Sequence, residues 1–309
     1  TVECVSLRTG ETYASQSVLR GMIFQIALSS KGDRLLVGGR QVDAANPQLC
    51  LLQVSIPAQP MDSPSLAIAR LPAGSTPTAI ANWVLQSGGS LTPRGRNQPI
   101  TTVADLPVPW TCNSLQLGRC PLFADEIKSI DGLDTVTKMD LSRTNVGDDE
   151  LVPLRPLLEK VNDLKLGHTN VTDRTMELLA SNRNMGQLDV ELTGVTDVGL
   201  ASVLSQNRLK LMCCDSRQFT ARLRPSFRVN PPVQWMVLVA CEDAPLSLAA
   251  VEDTPPERLI LINNFRDKGL QACPDLSPLS KKANPRLLQF KEFQIKPEHV
   301  EQLAALKQL

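Results

Sequence analysis

From about Leu115 to the C-terminus the chain repeats one spelling with a period of about 25 residues. The clearest copies set Met139 and Leu141, Leu164 and Leu166, and Leu188 and Val190 two positions apart. Each pair is followed by a threonine (Thr144, Thr169, Thr193), a valine (Val146, Val171, Val195) and an aspartate (Asp148, Asp173, Asp197). Apolar residues at helical spacing come next, Met176 with Leu179 and Leu200 with Val203. A pair two apart predicts a short strand with one face inward, and the later residues predict a short helix. Such a unit cannot bury its own apolar face and must stack on copies of itself, which makes a solenoid.

Taking the first residue of each strand pair as a marker gives Leu115, Met139, Leu164, Leu188, Leu209, Met236, Leu259 and Leu288. The intervals are near-constant from Leu115 to Leu188 and uneven after it, shortest from Leu188 to Leu209 and longest from Leu259 to Leu288. The opposite side of the unit is expected to be helical, with Thr172–Asp173 and Thr196–Asp197 placing a hydroxyl cap and a first-turn carboxylate at each helix start. Pro297 takes the same register in the last repeat, followed by a buried stripe of Val300, Leu303 and Leu306. Solenoid ends need covers. Ser75–Gly89 reads as the first, with Thr76 as cap, Pro77 opening the helix and Gly88–Gly89 ending it, and a strand or two follow around Pro93-Arg-Gly-Arg96.

Residues 1–72 have a different grammar, and the domain boundary is placed between 72 and 73. Val2–Leu7, Ile23–Leu28, Leu35–Val37 and Leu49–Val54 are strand candidates separated by turn signals such as Arg8-Thr-Gly10 and Ser30-Lys-Gly-Asp33. Gln59–Pro72, with three prolines, reads as a linker. The segments Thr1–Glu11, Ala27–Gly39 and Leu49–Val54 resemble parts of a WD-repeat blade, although Val5-Ser6 and Leu52-Gln53 stand where the Trp-Asp pair belongs. One blade cannot close a propeller.

The ladder from Val136 to Leu204 resembles bacterial leucine-rich repeats of the type common in planctomycetes, and Thr193-Gly-Val-Thr-Asp-Val-Gly-Leu200 matches the rung ending of that group in full. The resemblance covers about residues 75–309. It implies an α/β leucine-rich-repeat horseshoe with a parallel concave sheet and a helical convex side. It also implies a C-terminal position in a longer multidomain protein, in keeping with a chain that starts at Thr1 inside a strand-like pattern. In that group such regions adjoin serine/threonine kinases or WD-repeat proteins. The second reading is therefore the sensor or recruiting arm of a kinase whose catalytic domain lies outside these residues, since no glycine-rich phosphate loop, H-R-D or D-F-G occurs in the chain.

Composition narrows the function further. With 32 basic and 32 acidic residues the formal charge is zero, so no global field steers the chain to nucleic acid or an anionic membrane. No apolar run approaches the roughly 20 residues of a membrane span. The eight cysteines lack C-x-x-C spacing and the two histidines do not pair with them, so no metal or cofactor is expected. Cys120, Cys214 and Cys241 fall on the rung of Thr144, Thr169 and Thr193, which predicts buried, reduced thiols and a cytoplasmic setting. His168 and His299 are expected at the surface. Asp148–Asp149 and Glu242–Asp243 are expected to cap helices, and Asn170-Val-Thr172 is a formal glycosylation sequon at an ordinary repeat position. No group assembles into an active site.

A non-catalytic protein-interaction module follows, with a protein partner on the concave face. In repeats two to four that face is expected to show Lys138, Asp140, Ser142, Asp163, Lys165, Gly167, Gln187, Asp189 and Glu191, a charged set. In repeats six and seven it is expected to show Trp235, Val237 and Val239 beside Arg258, Ile260 and Ile262. An apolar patch with a tryptophan and an arginine has the composition of an interface hot spot, and these six are the candidate partner-binding residues.

Overall fold

The computed structural model describes Leu71, residues 74–120, 124–206, 209–229, 233–242, 244–263, 271–280 and 285–306, and the backbone of five strands within residues 2–53. The chain divides into two compact units, Thr1–Arg70 and Leu71–Leu309. In the first, β1 (Val2–Val5) pairs antiparallel with β2 (Thr12–Gln16), and β3 (Gly21–Leu28), β4 (Arg34–Gln41) and β5 (Gln48–Gln53) form an antiparallel meander. Each of the four expected strands overlaps one of these. β2 was not expected, because its spelling Thr-Tyr-Ala-Ser-Gln carries little apolar alternation. The turns at 8–10 and 30–33 lie outside the described residues, as does the linker 59–72 apart from Leu71.

The second unit begins with α1 (Pro77–Gln86), built as its sequence predicts. Thr76 Oγ1 accepts from the Ala79 N–H, Pro77 opens the helix, and Gly88 leaves it at φ +82°. Its face of Ile80, Trp83 and Val84 is buried and seals one end of the core. Gly89 is required by close approach, since a Cβ there would sit 2.6 Å from the Gln116 carbonyl oxygen. The chain then enters a nine-stranded sheet. β6 (Ser90–Pro93) runs antiparallel to β7 (Cys112–Gln116). Parallel strands follow in chain order: β8 (Lys138–Asp140), β9 (Asp163–Lys165), β10 (Gln187–Asp189), β11 (Leu211–Asp215), β12 (Trp235–Ala240) and β13 (Arg258–Asn263). β14 (Gln271–Ala272) leaves the row to pair with β16 (Phe293–Gln294), so β13 pairs directly with β15 (Leu287–Lys291). The sheet is thus mostly parallel, and the long last interval, from Leu259 to Leu288, accommodates the side pair.

The segments that follow the strands are helical, as expected: α2 (Ala124–Ile127), α3 (Asp148–Leu151), α4 (Arg155–Leu158), α5 (Asp173–Leu179), α6 (Asp197–Gln206), α7 (Arg224–Val229) and α8 (Pro297–Ala304), with 3-10 turns elsewhere. Two inward rows from the strands form the core. Leu115, Met139, Leu164, Leu188, Met212, Met236 and Leu259 are in register and buried, and so are Leu117, Leu141, Leu166, Val190, Cys214, Leu238 and Leu261.

That register corrects the fifth repeat. Leu188 pairs with Met212 and Met212 with Met236, so the marker is Met212 rather than Leu209. The short interval before Leu209 and the long one after it become two equal intervals. Leu209 lies three positions before the strand pair, on the buried rung of Val136, Val161, Met185 and Val233. Cys214 consequently fills the place of Val190 and does not continue the threonine column. Thr144 and Thr169 are buried and Thr193 half-buried, and each hydroxyl donates to the carbonyl three residues back, Leu141 at 2.7 Å, Leu166 at 2.6 Å and Val190 at 2.8 Å. Cys120 and Cys241 hold the threonine register, three residues after Leu117 and Leu238, and are buried. In the fifth repeat that register falls on Arg217, and the adjacent Gln218 reaches back instead, its Nε2 donating to the Val190 oxygen at 2.7 Å and to Thr193 Oγ1 at 3.0 Å.

Polar ties also join the helical side. Asp148 accepts from Thr172 N–H at 2.9 Å and Oγ1 at 2.6 Å, and from Thr175 N–H and Oγ1. Asp173 does the same for Thr196, and Asp197 accepts from Thr220 Oγ1. Each aspartate opens its own helix and fastens the cap of the next. The last helix departs from expectation: Val300 is 56% exposed, Leu303 is half-buried, and Leu306 is buried. In the register of Val300, Met176 and Leu200 are fully buried, and each has a further described helix packed in the next repeat, whereas α8 is the last described helix. His299, expected at the surface, is buried with Nδ1 accepting the Lys296 N–H at 3.0 Å.

Asp148→Ala should lower stability by about 1–2 kcal/mol, since it strips acceptors from four donors. Desolvation pushes its pKa up, but the hydrogen bonds from Thr172 and Thr175 outweigh it and hold the carboxyl below its ordinary value. The contribution is therefore complete above the ordinary carboxylate range and is lost as pH falls through the depressed value. Urea melts of the two proteins should converge in acid; a constant gap would show that the charge is irrelevant. The six described cysteines are buried free thiols. Titration of the denatured chain without reductant should count all eight, and a lower count would establish a disulfide.

Candidate functional site

The strands alternate, so residues between the two core rows reach the open face of the sheet. In register these are Ser114, Lys138, Asp163, Gln187, Leu211, Trp235, Arg258 and Leu287 in a first row, and Gln116, Asp140, Lys165, Asp189, Cys213, Val237, Ile260 and Gln289 in a second. A third row continues just beyond the shorter strands and includes Glu191, Asp215, Val239, Ile262 and Lys291.

The half built by β7–β10 is polar. Lys165 Nζ lies 3.7 Å from Asp140, whose Oδ1 also accepts from Ser142 N–H and Oγ. Gly167 leaves room for the next strand, since a Cβ would meet Asp189 Oδ1 at 3.0 Å. The turns leaving these strands share one conformation. Arg119, Arg143, His168 and Leu192 all have φ between 54° and 68°, a region that side chains disfavour. The first three N–H groups donate to backbone oxygens of the next repeat, Ser142, Gly167 and Glu191. Leu192 donates instead to the buried Asp215 carboxylate at 2.8 Å, whose other partners include the Arg217 guanidinium and the Arg217 and Gln218 N–H groups.

This arrangement places His168 on the open face, half-buried, with Nε2 3.5 Å from Glu191 Oε1. Desolvation, seconded by Arg143, lowers its pKa against the opposing pull of Glu191, so the imidazole is neutral at pH 7. Next to it, Cys213 Sγ is 3.4 Å from Glu191 Oε2. Ligand atoms of Asp189, Glu191 and Cys213 lie within 4.8 Å of one another, the spacing of a cation site. The sequence did not reveal this group, because setting the fifth repeat on Leu209 turned Cys213 inward. Burial and the two carboxylates raise the Cys213 pKa, so its thiol stays protonated and is held as a hydrogen-bond donor. Burial, then Glu191, pushes the Asp189 carboxyl up to about 6.

The half built by β11–β15 is apolar. Trp235 is 42% exposed and pairs in register with Arg258, whose guanidinium carbon lies 4.2 Å from the indole centroid. Val237 and Ile260 form the next cross-strand pair and are half-buried, as is Ile262. Five of the six candidate residues thus share one accessible surface. Val239 does not: it is 2% exposed. It is flanked in register by Ile262 and by Asp215, which holds Arg217. Two accessible apolar residues were missed. Leu211 is half-buried on the open face, hidden from sequence reading by the same misplaced register, and Leu287 is 44% exposed beside Arg258. The equal spacing of Leu188, Met212 and Met236 was the available signal for the first.

The remaining candidates are structural. Asp149 is ion-paired with Arg174 at the surface, and Asn170 Nδ2 donates to the Asn145 carbonyl. No helix among the described residues is long and apolar enough to cross a membrane.

Comparison with protein-family models gives no match, and comparison with curated proteins gives none. Among solved structures the chain is similar to an internalin (inlF) from Listeria monocytogenes, at 16% identity and a TM-score of 0.44, over 64% of this chain and 52% of that one. It is also similar to an internalin C2 from the same organism, at 18% identity and a TM-score of 0.28, over 53% of this chain and 55% of that one. The chain thus spans about half the length of these structures. The repeat architecture rests on the strand registers of the chain itself.

Asp189 supplies a pH test of the polar half. Its folded pKa of about 6 is above the ordinary 3.8, so the folded state holds its proton more tightly. Stability is full below the ordinary value and declines as pH rises through about 6. Asp189→Asn should remove that decline, as read by thermal melts at pH 4 and pH 7. An unchanged slope would mean that the carboxyl is not desolvated.

Proposed function

We propose that this chain is a non-catalytic protein–protein interaction module, a leucine-rich-repeat scaffold that binds a protein partner on the open, concave face of its sheet. The observation that carries the reading is the accessible row of Leu211, Trp235, Val237, Ile260, Ile262 and Leu287 across four adjacent strands, outside the core. Apolar surface on that scale is uncommon on a soluble monomer without a use. The arginine–tryptophan stack at its edge is a further feature of binding hot spots. In the polar half Lys165 faces Asp140, Cys213 donates to Glu191, and His168 faces a carboxylate rather than a nucleophile, which supports binding over catalysis.

Val237→Asp with Ile260→Asp should reduce association at least tenfold while leaving cooperative unfolding intact, because neither side chain belongs to the core. The check is capture from cell extract on the immobilised wild-type chain and on the double variant, alongside thermal melts of both. Loss of the unfolding transition, or equal capture by both, would overturn the reading.

A further inference from the structure

Apolar burial alone anchors a partner weakly on such a face, because the free energy it yields is of the order that association itself costs. A directional polar contact is needed, and the charges of the face indicate its sign. On the open rows of β8–β10 four carboxylates, Asp140, Asp163, Asp189 and Glu191, stand among two lysines, Lys138 and Lys165. On the open rows of β11–β15 the charged residues are Asp215, Arg258 and Lys291. Asp215 is neutralised by Arg217. Among the described residues no carboxylate lies within ion-pair distance of Arg258 or Lys291. The apolar half is therefore a basic surface.

Arg258 is held as a binding group would be. Its guanidinium lies over Trp235 and is exposed, so stacking occupies one face of the fork and its N–H donors remain available. A planar guanidinium with unused donors matches a carboxylate. Along β13 the residues following it on this face are Ile260 and Ile262, each separated by one residue and hence about 7 Å apart. An extended chain presents alternate side chains at that same spacing.

We propose, building on the interaction reading above, that the partner contributes a peptide segment in which an Asp or Glu carboxylate stands two positions from an aliphatic side chain. The carboxylate engages Arg258 on its Trp235 platform, and the aliphatic groups cover Val237, Ile260 and Ile262. A fatty acid carries the same pairing of carboxylate and hydrocarbon, but an acyl chain is best held in an enclosed tunnel. Here Trp235 and Leu287 are 42% and 44% exposed on an open sheet.

The probes are three acetylated, amidated decapeptides of alternating Glu and Leu, Gln and Leu, and Lys and Leu, with sodium dodecanoate as the lipid control. Binding to the full chain is read by titration calorimetry and by Trp235 fluorescence, with Trp235→Phe assigning the signal. The Glu–Leu peptide should bind at least tenfold more tightly than the Gln–Leu peptide, and the Lys–Leu peptide least. Arg258→Met, checked by its unfolding transition, should erase the preference for Glu, and Arg258→Lys should restore part of it. Equal binding of the Glu and Gln peptides, abolished by Val237→Asp with Ile260→Asp, would overturn the acidic partner and leave the docking face standing. No binding by any peptide, or binding that survives the double variant, would overturn both. Preference for dodecanoate, lost in Arg258→Met, would overturn the peptide in favour of a lipid.

Discussion

A strand of three residues has no stability of its own, and β8, β9 and β10 are each that short. They exist because each lies in register between two others, with Met139, Leu164 and Leu188 stacked as one apolar row and Leu141, Leu166 and Val190 as the next. Every other feature depends on that alignment. It decides which side chains reach the open face, where the chain turns, and where the helices begin. Truncating one of these leucines would open a cavity shared by two repeats, at a cost of about 2–5 kcal/mol.

Apolar rows permit sliding, and polar contacts between repeats suppress it. The carboxylates of Asp148, Asp173 and Asp197 each reach the cap of the following helix. The left-handed turn residues donate across the same boundaries on the strand side. Between repeats four and five the pattern changes, with the Asp215 carboxylate replacing a backbone acceptor and Gln218 spanning to Val190 and Thr193. That brace coincides with the change of the open face from charged to apolar. It also keeps Asp215, buried in a mostly apolar setting, paired with Arg217 and with three backbone N–H groups.

The two halves of the face obey different physics. In the polar half crowding matters most: burial and Glu191 raise Asp189, and burial keeps His168 neutral. In the apolar half the charges stand apart, and Arg258 rests on an indole rather than on a carboxylate. A partner covering the second half meets apolar surface edged by positive charge, which underlies the proposed acidic, aliphatic segment.

Local period and capping chemistry were enough to specify the solenoid, the helical side, the α1 cover and every strand register of the repeats except the fifth. That the six candidate residues fall on the open face of the sheet was legible for the same reason: alternation within a known strand assigns each residue a side. Whatever a neighbouring repeat sets was invisible along the chain. Leu209-x-Leu211 spells a strand better than Met212-x-Cys214 does, yet pairing with Leu188 and Met236 places Met212 and Cys214 in the core and turns Leu211 and Cys213 outward. Val239 is closed off by residues on two other strands. A pattern along one chain encodes which face a side chain takes, whereas its accessibility and partners depend on residues a full repeat away.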